Sequence, residues 1–440
     1  MVLTPVDPNE RFRLRRHHRA RRKRRRRLAA ALVSALLGAG IAGVVYAVAH
    51  RSTDLGYVGA KASTAPRPTL VVQQPRPLPA EVRGVHVTMA LASIPGRLEA
   101  YLTLPGLNTV ELDVKDESGR VGFVGAAPWL ARATGAAGRY YDPKRAVALS
   151  RKHGVYLIGR VVCFEDPVVA SKRPRYAVRT RDGGVWRNRA GLAWADPYNR
   201  GYWDYVVAVG TAAARAGFDE IQLDYIRFPT DGDLTAAVFP ARRAEPRATT
   251  IASFVRYVAT RLRREHVRVS ADVFGLSAKR DLGIGQVPRR IAPYLDAIYP
   301  MVYPSHYVRG EYALEDPSAE PGLTVARSLA DFRSRLRGQR TKLIPWLQDF
   351  SLGRAYTIDD VRLQIAAARR AGTAGFMLWN AGGVYTTDAL SGPKRARPAT
   401  RGPGGRARAT ARATRGARAR VAGASRRGRR GSSPGGRASP

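Results

Sequence analysis

The sequence predicts an α/β fold of the (β/α)8 TIM-barrel type, carried on basic and apolar extensions. Three observations predict it. Short apolar runs recur through the middle of the chain, and longer helix-like segments separate most of them. Carboxylates and aromatic residues gather at the same end of most of these runs. An open doubly wound sheet is the alternative. However, Arg83-Gly84-Val85-His86-Val87 lacks the glycine spacing that cradles a phosphate after a first strand.

The chain holds 440 residues, 45% of them hydrophobic, enough for one large domain with extensions. Its formal net charge of +41 is unevenly spread. Twelve Lys and Arg fall in residues 1–27 and fifteen more after Ala389, so the middle is far less basic. Residues 1–27 read as a basic cytoplasmic arm. Residues 28–49 form 22 positions without a charge or a proline, long enough for a spanning helix. The arginine block before them would hold that side in the cytoplasm. A signal-anchor in the cell membrane is therefore expected, single-pass, with the rest of the chain outside. The alternative is secretion after signal cleavage at Ala47-Val48-Ala49. Residues 50–80 are a Pro-rich linker.

Within 81–390, eight strands are expected at 82–88, 109–114, 155–162, 220–226, 267–273, 297–303, 342–347 and 375–379. Helices are expected at 143–153, 198–216, 251–265, 323–336 and 358–371. The fourth strand has the clearest signal. Gly217 stops the helix before it, and Ile221, Leu223 and Tyr225 alternate with Glu220, Gln222 and Asp224. Phe228-Pro229 ends the run, because proline cannot donate to a ladder. Residues 391–440 are rich in Arg, Gly and Ala, cannot bury a core, and read as disordered. Such a tail is either solvated or a tether to an anionic wall polymer.

In a barrel, chemistry gathers at the carboxyl ends of the strands. The candidates there are His86, Glu111, Asp113, Glu165, Gln222, Asp224, Asp272, Tyr303, His306, Trp346, Gln348, Asp349, Trp379 and Asn380, with Arg160 inside the third strand and Arg227 just beyond the fourth. Asp224 could equally pair with Arg227 and do nothing else. Paired carboxyls with aromatic platforms suit a sugar, because glycoside cleavage places two acids across one bond. Cys163 reads as a small buried hydrophobe. The scattered histidines suggest no metal, and no cofactor is expected. Nucleic acid is not an expected partner, since no recognition signature accompanies the charge.

Residues 218–229, Val269-Ser270-Ala271-Asp272-Val273-Phe274-Gly275, 299–307 and Pro345-Trp346-Leu347-Gln348-Asp349-Phe350 together resemble a bacterial glycoside hydrolase family long known only as a domain of unknown function. The resemblance covers about residues 82–388. It implies a glycosidase barrel distantly similar to α-amylase-like enzymes, with Asp224 as nucleophile or charge stabiliser. The acid/base position holds Asp272, where those enzymes carry a glutamate. Gln222 replaces their arginine, and Gln348-Asp349 replaces their His-Asp. The expected substrate is a polysaccharide or peptidoglycan-related glycan at the cell surface. A non-catalytic carbohydrate-binding or wall-organising barrel is the alternative.

Overall fold

Strand and helix alternate along the chain, and the computed structural model, which describes residues 75–391, closes them into a barrel. The expected arm, the 28–49 anchor, most of the linker and nearly all of the tail lie outside the described residues. Among the described residues, no helix is long and apolar enough to cross a membrane.

The strands are β1 (Val82–Val87), β2 (Thr109–Lys115), β3 (Tyr156–Val162), β4 (Glu220–Asp224), β5 (Arg268–Phe274), β6 (Ala297–Val302), β7 (Lys342–Leu343), β8 (Trp346–Gln348) and β9 (Gly375–Trp379). All pair in parallel, β1 through β6 in sequence order, and β1 with β9 closes the ring. β7 and β8 are two halves of one stave, since both pair with β6. The break falls at Pro345, which has no N–H to give. Ile344 still donates to the Ile298 carbonyl at 3.1 Å, and Met377 donates to the Pro345 carbonyl at 2.9 Å. Eight staves result, at the places the sequence pattern predicts.

Five longer helices cover the barrel. They are α1 (Pro143–Lys152), α2 (Arg200–Ala216), α3 (Arg247–Leu262), α4 (Pro321–Arg335) and α5 (Ile358–Arg370). Their starts are encoded locally. Asp142 caps α1 by accepting from the Arg145 N–H, with Pro143 in the first turn. Thr357 and Asp360 form a reciprocal capping box on α5. α2 ends at Gly217, whose φ of 105° lies in the left-handed region. Tyr202, Tyr205, Val206, Val209 and Ala213 form the buried stripe of α2 at helical spacing.

The alternation of β4 sorts its side chains into two cores. Ile221 and Leu223 face outward and join the large cluster between staves and helices. Glu220, Gln222 and Asp224 share the opposite, inward face. Inside the barrel a second cluster contains Val82, Tyr156, Ile158, Tyr299, Ile344 and Met377. Truncating Leu223 to alanine would cost about 2–5 kcal/mol through the cavity it leaves. At the barrel floor Glu220 accepts from the Tyr156 hydroxyl at 3.0 Å and the Ser270 hydroxyl at 2.5 Å. A Cβ on Gly375 would lie 2.2 Å from the Val82 carbonyl oxygen, and its φ is 128°. Only glycine lets β9 approach β1 there.

Two features depart from the expected pattern. β4 ends at Asp224, two residues early, because Tyr225 takes a left-handed φ of 53°. Between β3 and α2 the chain makes an excursion built on antiparallel bridges, Ala177 with Ala195, Arg179 with Val185 and Arg187 with Ala193. Its alternation is too short and interrupted to register as strand period.

Candidate active site

The site is the upper end of the barrel interior, where one inward residue from each of several staves meets its neighbours. His86 stands opposite Glu111 in the β1–β2 register, and Asp113 opposite Arg160 in β2–β3. Arg160 is opposite Gln222 in β3–β4. Leu223 pairs with Ala271, so Asp224 and Asp272 are the next residues along two adjacent staves.

Arg160 is the hub. Its Nη1 donates to Asp113 Oδ1 at 2.8 Å, and its Nε and Nη2 both donate to Asp224 Oδ2, at 3.0 and 2.7 Å. Its Nη1 also reaches Glu117 Oε2 at 3.4 Å. Burial works against its charge, but the carboxylates of Asp224, Asp113 and Glu117 outweigh it and hold the guanidinium firmly protonated. Asp224 receives a further bond on its other oxygen, from its neighbour's N–H (Tyr225) at 2.6 Å. Tyr225 itself has a left-handed φ of 53°. Such a backbone costs roughly 1–3 kcal/mol in a non-glycine residue and concentrates at functional sites.

Asp272 sits in different surroundings. Its Oδ1 accepts from Gln222 Nε2 at 2.5 Å and from the Trp346 indole N–H at 2.6 Å. Among the described residues, no cation forms an ion pair with it. Burial pushes its carboxyl well above the usual range, and the nearby charges of Asp224 and Glu111 push it further. Two acids on adjacent staves are therefore driven apart in character, one clamped by a guanidinium and one favoured as the neutral acid.

Glu111 is a third acid. One of its oxygens is hydrogen-bonded to His86 Nδ1, while Oε1 is buried without a hydrogen-bond partner. Burial raises its pKa well above the usual carboxylate value. His86 Nε2 lies 3.7 Å from Asp113 Oδ1, which links Glu111 to the Arg160 cluster. Glu111, Arg160, Asp224 and Asp272 line one narrow pocket with Met301, Tyr303, Trp346 and Trp379. The two indoles meet edge-on, 6.0 Å between ring centres, and the Trp379 N–H has no partner. An unpaired acid oxygen and an unpaired indole donor at one pocket suit a ligand rich in hydroxyl groups.

Residues 84–385 match the model of a family described as "Putative glycosyl hydrolase domain". The chain belongs to this family. Nothing among curated proteins matches it. Among solved structures, a hypothetical protein from Ruminiclostridium thermocellum is 34% identical over 43% of this chain and 97% of its own, with a TM-score of 0.39. The glycoside hydrolase domain of PgaB (BpsB) from Bordetella bronchiseptica is 15% identical, covering 68% of this chain and 94% of its own, with a TM-score of 0.49. That of PelA from Pseudomonas aeruginosa is 13% identical, with coverage of 71% and 96% and a TM-score of 0.40.

In this glycosyl hydrolase barrel the structure gathers some of the expected residues and sets others apart. Glu111, Asp224, Asp272, Tyr303, Trp346 and Trp379 line the pocket. Asp113 and Gln222 support it from behind, through Arg160 and Asp272. Arg227 does not pair with Asp224. It is buried against the rings of Trp194, Tyr225 and Phe274 and bonds to the Thr230 hydroxyl at 3.1 Å. Glu165 is buried under the β3–α2 excursion, where Asn188 reaches it at 3.5 Å. Gln348 ties loops together, accepting from the Ser305 N–H and donating to the Phe350 carbonyl. Asp349 is taken up by Thr386, whose N–H and hydroxyl both lie 2.7 Å away. Asn380 donates to the Asp349 carbonyl, and His306 packs beside Tyr303 and Phe350. Cys163 is buried, and burial raises its thiol pKa. Among the described residues, no cluster of His, Cys, Asp and Glu could hold a metal ion.

Sequence alone places Arg160 only as a residue inside the third strand. The available signal was its phase: in Tyr-Leu-Ile-Gly-Arg-Val-Val the arginine occupies an inward position of a strand buried on both faces. An unpaired guanidinium there would be prohibitively costly, so acids had to converge on it.

Proposed function

We propose that this protein is a glycoside hydrolase that cleaves a cell-surface or wall glycan outside the cytoplasmic membrane, with Asp224 and Asp272 as its working pair. The observation that carries this reading is the opposed environment of two acids on adjacent staves of one pocket. Divergent environments are how acid and base roles are divided between like residues.

In this reading Asp272 is the proton donor. Its Oδ1 already accepts two hydrogen bonds, which leaves the proton to Oδ2. The proton passes to the glycosidic oxygen as the bond to the anomeric carbon breaks, and the leaving sugar departs with a new hydroxyl. Asp224, clamped by Arg160, attacks the anomeric carbon or steadies its charge, until water gives its proton to Asp272 and adds there. Adjacent staves lie about 4.8 Å apart. That favours the roughly 5–5.5 Å carboxyl spacing of retaining enzymes over the wider inverting spacing. Trp379, half-buried where it lines the pocket, offers a ring face for a pyranose. The anchor at 28–49 would hold the barrel at the membrane, and the basic tail would hold anionic wall polymer.

The test is release of reducing ends from a panel of wall glycans, with the anomer of the first product read by NMR. Retained configuration is the expected result. Binding of glycan without any new reducing ends would instead favour the carbohydrate-binding alternative.

A further inference from the structure

The opposite mouth of the barrel has a surface that the chemistry above does not use. Residues 75–80 cross it before β1. Arg76 Nη1 donates to the Val155 carbonyl at 3.0 Å and meets Asp219 Oδ2 at 3.3 Å, while Arg268 Nε donates back to the Arg76 carbonyl at 3.1 Å. Leu78 packs against the interior cluster from below. Beside this strap lies a cleft of about 640 Å³, lined by Pro77 and Leu78 and by Arg263, Arg268, Arg340 and Lys342. Asp296 is the one acid in that lining. It is shared by Arg263 at 3.5 Å and Arg268 at 3.9 Å. Arg340 and Lys342 are exposed and have no ion-pair partner among the described residues.

We infer that this cleft docks the barrel onto the anionic phosphate headgroups of the membrane that its own N-terminal segment enters. Four cations to one acid suit a phosphate-bearing surface rather than a neutral sugar. The occupant follows from chain continuity. Pro77 and Leu78 line the cleft, and the apolar run at 28–49 ends 28 residues before Pro77. The cleft is therefore the part of the barrel that a tether of this length presents to the bilayer at high effective concentration. Juxtamembrane cations gain from the negative surface potential within a Debye length. With the lower mouth on the lipid, the pocket of Asp224 and Asp272 opens away from the membrane, toward the wall.

The inference rests on the anchor reading, and the experiment separates the two. The full-length protein is reconstituted into phosphatidylcholine vesicles with or without roughly 30% phosphatidylglycerol. A fluorophore is attached at Gln339→Cys in the cleft or at Val384→Cys in the loop after β9. Val384 is 75% exposed at the other mouth. Headgroup-quencher lipid reports proximity. Quenching at 339 and not at 384, dependent on phosphatidylglycerol, is the expected result. Arg340→Glu with Lys342→Glu should lower it about twofold or more, without changing flotation. Equal quenching at both positions, indifference to lipid charge, or indifference to the charge reversal would overturn the docking while leaving the anchor intact. Protection of the 339 label by a soluble glycerol-phosphate polymer in place of vesicles would assign the cleft to wall polymer and also overturn it. Protein that fails to float at all removes the anchor reading, and the inference with it.

Discussion

Glu220 and Asp224 share one face of one strand, four residues apart, yet they belong to different regions of the barrel. At the floor, both oxygens of Glu220 are met by hydroxyls, from Tyr156 and Ser270. At the upper ring, the acids are met by a guanidinium, an indole and backbone, and one oxygen of Glu111 is left without a partner. Beside Glu220 the Tyr299 hydroxyl is buried without a partner, but neither oxygen of Glu220 is. The ring leaves an acid oxygen open, on Glu111, among the residues that line the pocket. Burial alone therefore does not mark a working acid, since both regions are buried. What marks it is burial combined with incomplete satisfaction at a place a ligand can reach.

The comparison can be broken most directly at the ring. Asp224→Asn keeps the shape and removes the charge, so glycan cleavage should fall by about 10²–10⁴-fold with the melting transition largely preserved. Asp272→Asn should fall similarly, but less for substrates whose leaving group needs no proton. Unaltered turnover in either variant would return these acids to a structural role. Arg160→Met tests the hub. It strands Asp113 and Asp224 as buried carboxylates, and the denaturant midpoint should report a loss of about 3–5 kcal/mol. A loss under about 1 kcal/mol would mean that water already screens the cluster.

The floor should answer differently. Glu220→Gln should cost about 1 kcal/mol of stability and leave turnover unchanged. Burial raises the Glu220 pKa, so the folded state holds its proton to higher pH than the unfolded state. Its contribution to stability is complete at pH below the ordinary carboxylate value and is lost as pH rises through the raised one. The variant should flatten that slope in pH-dependent denaturation. The smallest effect concerns activity. Asp272 must carry its proton, so kcat/KM should decline as pH rises through its elevated pKa, above the range of an ordinary carboxylate. A basic limb unchanged by Asp272→Glu would assign the titration to another group, with Glu111 as the first candidate.

Much of this arrangement was legible in sequence because it depends on phase. Inward and outward residues alternate with a period of two, so Glu111, Gln222, Asp224 and Asp272 could be placed on one face from their spacing alone. Tyr303, Trp346 and Trp379 were legible as aromatic residues at strand ends. Register was not legible. Arg227 stands three residues from Asp224 and looked like its partner, whereas Arg160 lies 64 residues away and reaches it only through the β3–β4 pairing. The roles of Gln348, Asp349 and Asn380 were hidden for a related reason. They leave the strands at their very ends, and loop contacts with Thr386, Ser305 and Phe350 decide where they point. The early end of β4 was equally hidden, since nothing in Tyr225 announces a left-handed backbone.

The stave broken at Pro345 has a dynamic consequence. A barrel wall is as tight as its least-bonded seam, and here β7 supplies two residues and β8 three. Amides flanking this seam should exchange with solvent earlier than those of β2 or β3, whose ladder is continuous over most of its length. The seam also carries the indole that holds Asp272. Each local opening there would swing Trp346 off the acid and admit water to the proton it guards. Breathing of one proline-interrupted stave and the protonation of one catalytic candidate would then share a clock, readable as a common rate in amide exchange and in the Trp346 indole resonance.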